Sequence, residues 1–322
     1  MIEKLFKQAF KELKALSKKR RVIFPEGINP KIQEVALRLK KENIVVPILC
    51  FSNNKLIPEI IKKSGIITYS INDSITIKLI QKLFQLRKNK LTIEKAQELM
   101  QQTNYFATML LKEKEADCLV GGIDYTTKDI LSPALQIIKT SRHLPLAATA
   151  NLMIRGKERY IFSDVSLNIN PNSEQLSQIT KLAIKLAIKL KINNPQVALL
   201  SFSTNGSASS ESVLKVRHAV EILRQERLSF LIEGEMQFDS ALIPEIRKKK
   251  MPDSKMKGSA DILIFPNLDA ANIGYKITEK LAGFKAVGPI VLGLNEVVSD
   301  LSRGATIEDI YSTVILTAWR TI

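Results

Sequence analysis

Asp300-Leu301-Ser302-Arg303-Gly304-Ala305-Thr306-Ile307-Glu308-Asp309 sets a hydroxyl and a guanidinium side by side between carboxylates. Arginine can grip an oxyanion through two parallel hydrogen bonds, and a nearby carboxylate can take up a proton. Gly304 lets the chain turn tightly after Arg303. Thr306 followed three residues on by Asp309 is also a helix capping box, and the motif does not choose between these readings. A second polar centre surrounds Arg87 and Thr126-Thr127. Ser201-Phe202-Ser203-Thr204-Asn205-Gly206-Ser207-Ala208-Ser209-Ser210 lies between an apolar run and an amphipathic one. Hydroxyls and free backbone N–H groups at a strand-to-helix turn suit phosphate, with Ser203, Asn205 and Gly206 as candidates, whereas Ser209 or Ser210 serves equally as a helix cap. Asn272-Ile273-Gly274-Tyr275-Lys276 reads as a helix opening, either lining a ligand or capping it in solvent. Glu233-Gly234-Glu235 offers paired carboxylates to a metal, but nothing nearby completes a ligand set, so a structural or substrate-contacting role is expected.

The elements that must hold these residues alternate in type. Strands are expected at Arg21–Phe24, Ile44–Cys50, Ala116–Val120, Leu144–Ile154, Tyr160–Val165, Val197–Ser203, Leu228–Met236, Ala260–Phe265 and Ala286–Leu292. Helices are expected at Ile2–Ser17, Pro30–Lys40, Ile75–Leu86, Ile93–Gln101, Tyr105–Glu115, Lys128–Lys139, Ser173–Leu190, Ser210–Arg224, Ser240–Lys248, Asn272–Leu281 and Thr306–Trp319. Asn172 with Gln175 reads as a cap and its reciprocal partner. The alternation implies α/β architecture with mostly parallel sheets, helices on both faces, and ligands beyond the carboxyl ends of strands. The 322 residues allow two lobes, 1–145 with 300–322 and 146–299.

Composition narrows the function classes. Hydrophobic residues are 45% and charged residues 25%, ordinary for a globular protein. The apolar runs are strand-length, well below the ~20 residues of a bilayer helix. The lysine-rich N-terminus carries Ile2, Leu5, Phe6, Phe10, Leu13 and Leu16 at helical spacing, so it reads as an amphipathic helix packed on the body. The net charge is +16, but lysine is spread along the whole chain, so a solvated basic surface that attracts small anions is expected rather than nucleic-acid binding. The two cysteines, Cys50 and Cys118, sit in apolar stretches and read as buried reduced thiols of a cytoplasmic protein. GxGxxG, GxxxxGK[ST] and GxSxG patterns are absent, and His143 and His218 have no triad or metal context.

Taken in order, a set of segments resembles the phosphate acetyltransferase (phosphotransacetylase) family from about residue 21 onward. They are Phe24-Pro25-Glu26-Gly27; Leu86-Arg87-Lys88; Ala116-Asp117 through Gly122; Ala134-Leu135-Gln136-Ile137-Ile138-Lys139-Thr140; Asn170 through Leu176; Leu199 through Ala208; Glu233 through Asp239; Ile264 through Leu268; Asn272 through Lys276; Gly288-Pro289; and Asp300 through Gly304. Each alone is unspecific; their joint order and spacing is specific. The resemblance implies two three-layer α/β/α lobes like those of isocitrate and isopropylmalate dehydrogenases, an active cleft between the lobes, and a homodimer. It implies the reaction of acetyl-CoA with phosphate to give acetyl phosphate and CoA, with small molecules as the only partners, no membrane, no metal and no tightly bound cofactor. By the family pattern Asp309 is the general base, Ser302 and Arg303 contact substrate, and Arg87 binds phosphate. Thr126, Thr127, Lys128, Ser132, Ser203, Asn205, Gly206, Asn272, Tyr275 and Lys276 complete the expected substrate-binding set.

The implied chemistry is coherent. A thiol of pKa ~8.5 is only a few per cent thiolate at neutral pH, so a carboxylate base helps it attack the acetyl carbonyl. Arginines then hold phosphate and offset charge on the tetrahedral intermediate. One departure stands out: the family has arginine before the proline of Leu131-Ser132-Pro133-Ala134-Leu135, and this chain has Ser132. Lys128, a helical turn earlier, supplies a cation but not a planar fork, so weaker phosphate binding is expected. Leu91, where relatives often have glycine, reads as loop variation. Two alternatives share the resemblance, a phosphate butyryltransferase and a non-catalytic binding or regulatory domain; Ser132 is the feature that favours the second.

Overall fold

The computed structural model describes residues 2–322, with side chains from Leu5 onward, so the Ile2 side chain of the expected N-terminal stripe lies outside the described set. The chain forms two compact units, one of residues 3–140 and 294–322, the other of residues 141–293.

The first unit holds β1 (Arg21–Phe24), β2 (Val46–Phe51), β3 (Ile67–Ser70), β4 (Cys118–Gly121) and, numbered in chain order, β11 (Val297–Asp300). They pair in parallel in the order β3-β2-β1-β4-β11. Apart from Arg21 at the start of β1, the central strands are apolar because helices cover both of their faces. Helix Pro30–Glu42 shows how local sequence sets an element. Asn29 caps it by accepting from the Lys31 and Ile32 N–H groups, Pro30 fits its first position, and Asn43 closes it at φ 54°. Ile32, Val35, Ala36 and Leu39 form its buried stripe. The chain runs from β1 outward to β2 and β3, then returns to the other side of β1 for β4. The carboxyl ends of β1 and β4 are therefore the topological switch point, where a doubly wound sheet leaves a ligand crevice.

The second unit holds β5 (Ala148–Arg155), β6 (Glu158–Ser163), β7 (Val197–Leu200), β8 (Ile232–Met236), β9 (Ile262–Ile264) and β10 (Lys285–Leu292). Their order is β10-β5-β6-β9-β7-β8. The β10-β5-β6 pairs are antiparallel and the rest parallel. Its switch point lies between β7 and β9.

Several expected bounds move. The runs expected as strands from Leu144, Leu228 and Ala260 start later, at Ala148, Ile232 and Ile262, and the Val197 strand stops at Leu200. Helix Lys128–Lys139 is an α-helix over Thr127–Pro133 followed by a π turn over Ala134–Ile138, since Pro133 has no N–H to continue the regular ladder. The helix expected at Asn272 starts four residues earlier, at Leu268, capped by Asn267. β3, β11 and the short helix Glu59–Ser64 were not expected. Both cysteines are buried, and burial pushes both thiol pKa values up. Among the described residues no helix is long and apolar enough to cross a membrane.

Candidate active site

In the first unit, two buried carboxyls sit at the switch point. Glu26 follows β1 and accepts backbone N–H groups of Gly122 at 2.8 Å, Asp124 at 2.7 Å and Tyr125 at 3.0 Å. Asp300 ends β11, is 1% exposed, and accepts the Thr127 hydroxyl on Oδ2 at 2.7 Å. Its Oδ1 has no hydrogen-bond partner. Gly122, at φ 115°, lets β4 pass between them: a Cβ there would meet Asp300 Oδ1 at 2.3 Å. Burial pushes the Asp300 carboxyl up to about 7, and the neighbouring Glu26 pushes the same way. Burial also raises Glu26, against its three N–H partners.

Of the expected residues of this unit, Thr127 is tied directly to that pair. Thr126 caps helix Thr127–Pro133 through a capping box with Asp129, and this cap aims Thr127 at Asp300. Lys128 is exposed and Ser132 half-buried on the same helix. Arg87, the last residue of helix Ile75–Arg87, donates to Gln136 Oε1, which also accepts the Tyr105 hydroxyl at 3.2 Å. Gln136 lies on the π turn four residues after Ser132, so Arg87 is tethered to the segment that carries Ser132. After β11, Leu301 N–H donates to Gly121 O at 2.7 Å and Lys31 Nζ to Ala305 O at 2.8 Å. These contacts anchor a turn that leaves Ser302 and Arg303 exposed at the carboxyl end of the strand. Asp309 belongs to a full capping box: its Oδ2 accepts the Thr306 N–H at 3.0 Å and the Thr306 hydroxyl at 2.7 Å. The capping reading is therefore correct, and the cap fixes where the Asp309 carboxylate stands.

The second unit holds the other expected residues. Its 203–208 turn differs from expectation, because its N–H groups are not free. Gly206 N–H and the Ser203 hydroxyl both donate to Glu235 Oε1, at 3.0 and 2.9 Å, and Ala208 N–H donates to Ser203 Oγ at 3.1 Å. Ser203 is buried, whereas Asn205 and Gly206 are exposed at the tip, both with positive φ. Arg217 grips Glu235 with Nε and Nη2 at 2.9 and 3.0 Å and also donates to Ala208 O. Glu235 thus organises the turn, and Glu233 accepts Lys255 N–H at 2.6 Å, so both carboxylates are structural. Ser210 is the cap of helix Glu211–Gln225. Asn272, Tyr275 and Lys276 lie in the middle of helix Leu268–Lys280: Asn272 donates to Val165 O at 3.3 Å, Tyr275 packs on the core, and Lys276 is exposed.

At the switch point of this unit lies a cavity of about 480 Å³. The end of β7 (Leu200, Phe202), the end of β9 (Phe265, Asn267) and helix Leu268–Lys280 (Gly274, Ile277) line it, with Phe162 and Phe238 adding to its largely apolar walls. Its size is that of a small-molecule site. Among the described residues no group of three or more His, Cys, Asp or Glu side chains is placed to hold a metal. Sequence reasoning missed Asp300 and Glu26 as site residues. The available signal was the position of Asp300 two residues before Ser302-Arg303 and of Glu26 in a Pro-Glu-Gly turn after a strand.

Three comparisons bear on this arrangement. The family description "Phosphate acetyl/butaryl transferase" matches residues 2–318. A phosphate acetyltransferase of Mycoplasma capricolum is 45% identical over 305 residues, covering 94% of this chain and 95% of its own. The structure of a phosphotransacetylase from Streptococcus pyogenes superposes with TM-score 0.92 at 37% identity, covering 100% of this chain and 99% of its own. More distantly, 4-hydroxythreonine-4-phosphate dehydrogenase from Klebsiella pneumoniae shares the fold, with TM-score 0.55 at 14% identity over 95% of this chain and 99% of its own.

Proposed function

Because the chain belongs to the phosphate acetyl/butyryl transferase family, we propose that it moves an acetyl group reversibly between coenzyme A and inorganic phosphate. The observation that carries this reading is the gathering of Thr127, Ser302 and Arg303 at the carboxyl ends of β4 and β11, with Arg87 tied to the same helical run through Gln136. Arg87 and Arg303 bind the phosphoryl oxygens, Ser302 and Thr127 add hydroxyl donors, and Asp309 takes the thiol proton of CoA. The thiolate then attacks the acetyl carbonyl, the tetrahedral oxyanion collapses, and phosphate leaves with its charge held by the arginines. Lys128 and Ser132 border the phosphate position. In the second unit, the apolar cavity takes the pantetheine or adenine part of CoA. Asn205, Gly206, Asn272, Tyr275 and Lys276 contact the cofactor's polar groups, while Ser203 acts by holding its turn.

The same reading includes a homodimer in the cytoplasm. Ile273 and Leu281, on helix Leu268–Lys280 and just past its end, are exposed, Leu281 at 83%, which supports a partner surface there.

The test is phosphate-dependent loss of the acetyl-CoA thioester. Wild type turns over. Asp309→Asn lowers kcat by about 10²–10⁴-fold, the usual contribution of a general base. Arg87→Ala raises the phosphate KM by roughly tenfold or more, as loss of a charge-assisted hydrogen bond does. Full activity in both variants overturns the residue roles. Turnover of butyryl-CoA in preference to acetyl-CoA moves the reading to a butyryltransferase, and no turnover of any acyl-CoA makes the chain a binding protein.

A further inference from the structure

Asp300 is a buried titratable group for which the proposed reaction has no role, and its geometry is specific. Its carboxyl touches one side chain, the Thr127 hydroxyl, through Oδ2, and leaves Oδ1 without a partner while 1% exposed. Thr127 is only half-buried, so its side chain links the buried Asp300 to the solvent-facing side of helix Thr127–Pro133. A hydroxyl has one proton to donate. We propose that Asp300 is a positioning residue that sets the direction of the Thr127 hydroxyl, so that oxyanion binding at this site takes up one proton.

Two arrangements of the same atoms follow. With Asp300 ionised, the Thr127 O–H must donate to Oδ2, and the oxygen lone pairs of Thr127 face an incoming anion. With Asp300 protonated, Oδ2–H donates to Thr127 Oγ1, and the Thr127 proton turns outward to the anion. Binding an anion and holding a proton on Asp300 therefore favour each other, which is a linkage between two sites.

The surroundings place the proton on Asp300 rather than on Glu26. Glu26 has three N–H donors, which hold its ionised form, whereas Asp300 has the Thr127 hydroxyl and a weaker contribution from the Leu301 N–H. The charge that acts on Asp300 among the described residues is that of Glu26. The helix Thr127–Pro133 faces Asp300 with the Thr127 hydroxyl, β4 with the Gly121-Gly122 backbone, and helix Ile307–Trp319 with no charge that registers on it. Burial, opposed by the Thr127 hydrogen bond and joined by the Glu26 charge, brings its titration from 3.8 up to about 7.

The inference rests on the proposed function for its ligand class, and its test reads binding rather than turnover so that the two fail separately. Sulfate is the probe, because phosphate itself titrates near neutrality and sulfate remains a dianion. Isothermal titration calorimetry in two buffers of different ionisation enthalpy gives the protons taken up per sulfate. For wild type at pH 8 the expected value approaches one, and sulfate affinity falls about tenfold between pH 6 and pH 8 as Asp300 loses its proton. Asp300→Asn, whose amide donates permanently to Thr127, binds sulfate with no proton uptake and no pH slope. Thr127→Val binds weakly at both pH values, and Thr127→Ser restores the wild-type slope. Sulfate binding by wild type without proton uptake, or the same slope in Thr127→Val, overturns the proposal. Absence of acetyl-CoA turnover with proton uptake intact overturns the function and leaves this linkage standing.

Discussion

Ser132 stands where the resemblance to the family implies an arginine, and its position makes that expectation testable. It is half-buried on the helical run that carries Thr127 and the Arg87 partner Gln136. Ser132→Arg should supply a planar cation on the helical run tied to Arg87 and lower the phosphate KM by roughly ten- to a hundredfold, the range of one added charge-assisted hydrogen bond. Steady-state kinetics with varied phosphate decides it, and an unchanged KM ends the idea. Local chemistry of this kind was readable beforehand. Thr306 with Asp309 and Asn172 with Gln175 announced their caps by residue type and spacing alone. Asp300 was not readable as a buried acid, because burial is a property of its neighbours β4, Glu26 and Thr127, which come from 173 or more residues earlier in the chain.

At the scale of elements, Glu235 at the end of β8 shows what holds a functional turn. Despite the burial that opposes ionisation, hydrogen bonds from Arg217, Gly206 and Ser203 keep its carboxyl down at about 2, against an ordinary 4.5. A depressed acid contributes stability that is present above its unfolded pKa and lost as pH falls through the folded value. Glu235→Gln should therefore lower Tm by several degrees at pH 7, about 1.5–3 kcal/mol for the lost charge-assisted bonds. The gap to wild type should narrow steadily between about pH 4.5 and about pH 2. Thermal melts across that window check it, and a gap constant with pH contradicts the assignment. The same turn explains a misreading: a run of serines and a glycine looks like an anion cradle until one sees that a distant glutamate takes its donors. Two strands escaped notice for related reasons. In β3 three of four residues are not fully buried, so apolar pattern is weak, and in β11 the buried residues include Ser299 and Asp300, which no hydropathy reading places inside. The remaining strands were legible as short apolar runs, the pattern of parallel strands covered on both faces, whereas the order of pairing and the antiparallel β10-β5-β6 group were not.

For the whole molecule, the exposed apolar stripe of helix Leu268–Lys280 is the surface on which assembly can be tried. Leu281→Glu places a charge in a proposed contact while touching nothing buried in the single chain, where Leu281 is 83% exposed. Light scattering should show a dimer mass for wild type and a single-chain mass for the variant, with the melting temperature of each subunit little changed. An unchanged mass removes this stripe from the interface. Composition alone could not have located such a surface, since a +16 charge spread evenly marks no face.

The first unit is interrupted between residues 140 and 294 by the whole of the second. At the ribosome's pace of about 5–20 residues per second, those 153 residues occupy on the order of ten to thirty seconds. Through that interval β4 has its neighbour β1 but lacks β11, and Glu26 and Thr127 wait without Asp300, Ser302, Arg303 or Asp309. A nascent chain must therefore keep an unpaired sheet edge from joining its neighbours on the same polysome, while the inserted unit can complete its own sheet first. The proposed site residues and the closure of the first sheet then arrive together, with the same short stretch of polypeptide.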